Sequence, residues 1–173
     1  MKVVSVHIFR FILFVLAQAW VFNKLEIGFS TGIQVMIYPL FLMLLPFETT
    51  VFVLLIIAFV MGLFIDSLSN TYGLHTSSLL LVAYMRPIVF KIFSPREGYD
   101  SLKESSIFEM GQRWFVSVFG LLLLIHHFWY FAIEMFKMNE ILFVLQKTIL
   151  SVPVSFLLCI LLQVIFVTKP KAR

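Results

Sequence analysis

Hydrophobic positions in this chain do not alternate with polar ones; they run on in long blocks. Six blocks approach or reach the length of a bilayer-crossing helix, at residues 6–22, 30–45, 49–65, 74–89, 114–136 and 141–167. A hydrocarbon core about 30 Å thick takes roughly 20 apolar helical residues. Backbone in lipid has to satisfy its own hydrogen bonds, which a helix does and a lone strand does not. A membrane barrel would instead alternate in segments of about 10 residues. The pattern therefore predicts an all-α integral membrane protein: six transmembrane helices forming a single domain over residues 1–173, with one substantial loop at 93–112. The second block is marginal in length and contains Pro39, so a kink or tilt is expected there. The last is the longest and contains Pro153, whose missing donor neighbouring helices can make good.

Composition agrees with this reading and narrows it. Hydrophobic residues make up 61% of the chain and charged residues 13%, against about 25% charged in a soluble domain. The net charge of +4 would suggest a nucleic-acid partner if it formed a patch. It does not, because the charges sit at the ends of the apolar blocks, so no nucleic acid is expected. Their placement sets orientation instead. With the N-terminus inside, the cytoplasmic side receives Lys2, Arg10, Arg86, Lys91, Arg96, Lys103, Arg113, Lys169, Lys171 and Arg173, while the outside receives only Lys24 and Lys137. Both termini are expected in the cytoplasm. Arg10 and Arg86 lie a turn or two inside their helices, where a long side chain snorkels toward water. The start of the chain has one secretory feature, an apolar run after Lys2 that ends in Ala17-Gln18-Ala19. Arg10 interrupts that run, so an uncleaved first helix is the better reading.

Polar residues inside the apolar blocks are the candidates for chemistry. The densest group joins the third and fourth blocks. Ala58, Gly62 and Asp66 are four apart and share a helical face, which lets another helix approach closely. Gly73 supplies permissive backbone at the re-entry. Asp66 and His75 lie at similar depth and are positioned to pair, which would favour the imidazolium. The favoured reading is a hydrogen-bonded clasp closing a helical hairpin; a proton, ligand or docking site is the alternative. One carboxylate and one histidine do not make a zinc site, and Cys159, the only cysteine, permits no internal disulfide. His126 and His127 point about 100° apart. One is read as packed against a neighbouring helix, the other as hydrogen-bonded or facing a small cavity. Glu134 and Lys147 fall close enough for a salt bridge, with outward snorkelling of Lys147 the alternative. Ser151, Ser155 and Cys159 repeat every four residues as a small-residue ladder suited to helix contact. In the loop, Ser101-Leu102-Lys103-Glu104 fits a capping box, and Leu102, Ile107 and Phe108 would form one side of a short surface helix, with a solvated loop containing a little helix as the equal alternative. No phosphate-cradling glycine loop, HExxH or nucleophile elbow occurs, so no catalytic machinery, metal or cofactor is expected.

Several of these segments together resemble the rod shape-determining protein MreD family. They are Leu45-Pro46-Phe47-Glu48-Thr49, the run from Gly62 through Asp66 to Gly73-Leu74-His75, Tyr84-Met85-Arg86-Pro87, and Phe93-Ser94-Pro95-Arg96-Glu97-Gly98-Tyr99. Gly62, Asp66, Gly73 and His75 occupy the positions of that family's glycine–aspartate–glycine–histidine pattern, though Tyr72 stands where many members carry proline. The close resemblance covers about a third of the chain. It implies a non-enzymatic part of the bacterial cell-elongation machinery in the inner membrane. The partner would be the single-span protein MreC and, through it, MreB filaments, RodA and a penicillin-binding transpeptidase. It also implies a fold like the membrane S-component subunits of energy-coupling vitamin transporters. A vitamin-capture subunit is the competing function, although the Ala-x-x-x-Ala contact expected in the first helix of such subunits is missing.

Overall fold

The computed structural model describes residues 2–25, 32–100, 105–136 and 138–166. The capping-box residues 101–104, Lys137 and the basic tail from 167 onward lie outside them. Seven α-helices form among the described residues: α1 (Lys2–Trp20), α2 (Pro39–Met43), α3 (Val51–Ser69), α4 (Leu74–Ile92), α5 (Ile107–Met110), α6 (Gln112–Met135) and α7 (Ile141–Phe166). Four stretches are long and apolar enough to cross a membrane: α1 with its 3-10 continuation, α3, α6 and α7. The α4 helix is as long as α3, at 19 residues, but carries Thr76, Ser77, Ser78, Arg86 and Lys91. It can afford them because it is the central helix, packed between α3 and α6.

The second block departs most from expectation. In place of a helix over 30–45, the chain runs without helical structure from Gly32 to Ile37 and then forms the single-turn helix α2, led by Pro39. This stretch is buried from Val35 to Leu45. It starts beside Ser151 and Glu134 and ends beside Arg86 and Ser105, so it threads the bundle from end to end. Extended backbone covers about 3.3 Å per residue against 1.5 Å in a helix. A block too short for a helical crossing therefore still reaches through. Irregular backbone at this depth is tolerated only where protein surrounds it.

Apolar side chains turned outward, such as Phe52, Ile56 and Phe59 of α3 or Ile149, Leu157 and Leu161 of α7, leave each long helix with a greasy outer face. The loop after α4 falls where the sequence places it, between Ile92 and Gln112. Its helix α5 is a single turn, capped by the Ser106 hydroxyl accepting from the Glu109 amide.

Candidate functional site

Two polar centres stand at opposite ends of the bundle. The first is built on the α3–α4 turn. Asn70 closes α3 in the left-handed region and Gly73 precedes α4 at φ +88°. Gly73 has no side chain to cap α4, and Asp66 does it from the neighbouring helix. Its carboxylate accepts from the His75 and Thr76 amides at 3.1 and 2.8 Å and from the Thr71 and Thr76 hydroxyls at 2.7 and 2.6 Å. These amides are among the donors a helix start leaves without partners, and a carboxylate there also suits the helix dipole. A Cβ on Gly62 would stand 2.4 Å from Thr76 Cα, so glycine is what lets α3 come this close. The hairpin clasp is therefore real, but it is made by the His75 backbone. The expected side-chain pairing of Asp66 with an imidazolium does not form.

The His75 ring turns the other way and joins a chain of hydrogen bonds whose direction is set by the backbone. Gln18 accepts from the Ile37 amide and donates to the Val35 carbonyl, both at 2.9 Å. That fixes its amide, so the same nitrogen donates to Asn23 Oδ1 at 2.6 Å. Asn23 Nδ2 must then donate to Ser69 and to His75 Nε2. With Nε2 accepting, His75 Nδ1 carries the proton and gives it to the Tyr38 hydroxyl at 2.9 Å. Tyr38 in turn donates to His126 Nε2 at 2.6 Å. One orientation of every group is consistent along the chain as far as His126, whose Nδ1 has no partner among the described residues.

The small-residue ladder on α7 has a different purpose from the one its spacing suggested. Ser151 and Ser155 accept from the Gln34 and Met36 amides at 3.1 and 3.0 Å, and Cys159 lies 3.8 Å from the Ile37 carbonyl. With Gln18 on the other side, these side chains satisfy the extended segment much as neighbouring strands would. Ser155 also meets His127 Nε2 at 3.1 Å, and His127 Nδ1 donates to Leu123. Both histidines of α6 are thus hydrogen-bonded and fully buried; neither is a merely packed ring, because α4 and α7 cover α6 on both sides. Of the two readings for Lys147, the salt bridge holds: Nζ reaches Glu134 at 2.8 Å and lies 4.8 Å over the Phe131 ring.

The second centre gathers residues 45–49, 86–99 and 114. Arg86 is 2% exposed, so the expected snorkelling does not occur. Its guanidinium donates to the Leu45 carbonyl and, at 3.2 Å, to Pro46, and lies 4.5 Å over the Phe90 ring. With the Ser105 hydroxyl, which donates to the Met43 carbonyl, it ends the α2 segment. Arg10 is likewise buried, at 8%. Phe47 stacks on Tyr99 at 4.5 Å. The Tyr99 hydroxyl donates to Phe90 O at 2.7 Å, and Trp114 donates to Phe93 O at 3.0 Å and to the Tyr99 hydroxyl at 3.2 Å. Partial burial holds the Tyr99 phenol above its ordinary pKa, against the opposing effect of the Trp114 bond.

Sequence reading named Asp66, Gly62, Gly73, His75, Arg86, Ser151 and Ser155, and each has a definite place in one of these networks or at its edge. It missed Gln18, Asn23, Tyr38, Tyr99 and Trp114. Only Gln18 carried a signal, as a lone amide inside an apolar block. Comparison with protein families, with characterised proteins and with solved structures returns no match for this chain.

Proposed function

We propose that this chain is a non-catalytic membrane scaffold of the bacterial cell-elongation complex, of the MreD type, acting in the inner membrane through MreC. In this reading it crosses the membrane six times, by α1, the 32–45 segment, α3, α4, α6 and α7. The Asp66 clasp lies outside, and both termini and the Arg86–Tyr99 centre lie in the cytoplasm. The observation that carries it is where the family-like segments fall. Gly62, Asp66, Gly73 and His75 build one polar centre, while Leu45–Phe47, Arg86 and Tyr99 build the other. The residues behind the resemblance are thus spent on holding backbone, as a scaffold requires. MreB filaments, RodA and the transpeptidase would be reached through MreC.

The test is depletion of the protein with complementation by tagged variants, together with mass spectrometry of what co-purifies in mild detergent. Rounded cells on depletion and recovery of an MreC-like single-span protein are expected. Normal shape after clean depletion would overturn the reading. A vitamin-capture subunit is favoured by one observation, a polar cavity beside the clasp. At about 180 Å³ it is smaller than the roughly 300–1,000 Å³ usual for such ligands. Co-purification of a transporter coupling subunit with its ATPases would decide for that alternative.

A further inference from the structure

The cavity beside the clasp has an unusual balance of hydrogen-bonding groups. Its walls include Phe22, Gln34, Ser69, Thr71, Tyr130 and Glu134. Glu134 is engaged by Lys147 on one oxygen and by Gln34 on the other. A carboxylate offers about four lone-pair sites, so about two remain. Turned to donate to Glu134, Gln34 leaves its own carbonyl oxygen without a partner among the described residues. Thr71 spends its proton on Asp66 and Ser69 accepts from Asn23, whose two amide hydrogens are both used. The Ser69 O–H and the second Gln34 N–H are donors still free, and the acceptor sites around the space outnumber them.

Tyr130 is the second, independent sign. It is 3% exposed and its ring packs on His75 at 4.9 Å, yet its hydroxyl makes no hydrogen bond among the described residues. A tyrosine this buried normally finds a partner for its O–H. The Phe22 and Tyr130 rings add π faces, which attract cations. A primary ammonium meets the free oxygens with three donors, and an oxygen carried beside it, as in ethanolamine or its phosphate ester, accepts from the Tyr130 O–H. An anion would meet the Glu134 carboxylate and few N–H groups.

We propose that this cavity binds a primary ammonium group, carried either by a small soluble amine or by an aminophospholipid headgroup. Its volume suits a headgroup-sized ligand, and the proposal stands on the cavity alone, whatever complex the protein belongs to.

The experiment uses the full chain in detergent. Thermal shift and native mass spectrometry would follow binding of ethanolamine, phosphatidylethanolamine, phosphatidylcholine and phosphatidylglycerol to the wild type, Tyr130→Phe and Glu134→Gln. Tyr130→Phe removes a hydroxyl that holds nothing in place, so its unliganded melting temperature should match the wild type. Its affinity for the ammonium probe should fall several-fold, and that of Glu134→Gln about tenfold. Binding of both ethanolamine and phosphatidylethanolamine supports the site with either source. Phosphatidylethanolamine alone, in preference to the other two lipids, supports it with the lipid as source. Equal binding of all three lipids, binding of neither ammonium probe, or wild-type affinity in both variants would overturn it.

Discussion

Two residues decide how closely α3 meets α4. Gly62 faces the Thr76 backbone, and backbone cannot swing aside as a long side chain can. Gly62→Ala should cost about 2–3 kcal/mol as an overpacking substitution, read as a lower unfolding midpoint in detergent. A wild-type midpoint would mean that the hairpin does not close as tightly as described. Asp66→Ala strips the buried His75 and Thr76 amides of their acceptor. The loss should be about 3 kcal/mol or more, while Asp66→Asn, which keeps one acceptor oxygen, should fall between. If Asp66→Ala unfolded like the wild type, the carboxylate would not be the cap of α4. Both residues were legible in the sequence because a four-residue spacing and a lone carboxylate are local signals. Arg86 was legible only in part. The sequence gives its depth in the helix, but whether it snorkels or turns inward depends on the Leu45 and Pro46 carbonyls, some 40 residues away.

At the scale of elements, the 32–45 segment shows what hydropathy leaves out. Its apolar side chains announced a buried stretch, and they were right. They carried no record of where its backbone donors and acceptors would go, and those partners lie on α1 and α7, as far as 122 residues away. Ser151, Ser155 and Cys159 looked like a contact stripe for the same reason: four-residue spacing shows a shared face, not what the hydroxyls meet. The segment depends on both flanks. Gln18→Leu keeps the volume but leaves the Val35 carbonyl and Ile37 amide without partners, at about 2–4 kcal/mol. Ser155→Ala orphans the Met36 amide and His127 Nε2, at about 1–3 kcal/mol. Because both act on one stretch of chain, the double variant should lose less than the sum, since backbone loosened by the first change has less left to lose. Strict additivity in unfolding experiments would show that the segment is held independently on its two sides.

At the scale of the whole molecule, α4 and the 32–45 segment decide how many times the chain crosses. Neither is a long apolar helix, yet each links the two polar centres. The α4 helix begins in the Asp66 clasp and carries Arg86 to the other centre, and the segment runs from Ser151 to Arg86. If the long helices span a membrane, both must do so too. The chain suits a direct test, because Cys159 is its only cysteine and is fully buried, so an introduced cysteine reports alone. Val21, Glu48, Tyr72 and Arg96 are all exposed, and their side chains make few contacts to lose. In spheroplasts, Val21→Cys and Tyr72→Cys should react with an impermeant maleimide, whereas Glu48→Cys and Arg96→Cys should react only after permeabilisation. Positions 21 and 48 are separated by the second block, and positions 72 and 96 by α4 alone. Labelling of Tyr72→Cys and Arg96→Cys from one side would mean that α4 does not cross. Labelling of Val21→Cys and Glu48→Cys from one side would remove the second crossing. Either result would break the six-crossing topology on which the scaffold reading depends, whereas the alternating pattern would put the Asp66 clasp and the Arg86 centre on opposite sides of the membrane.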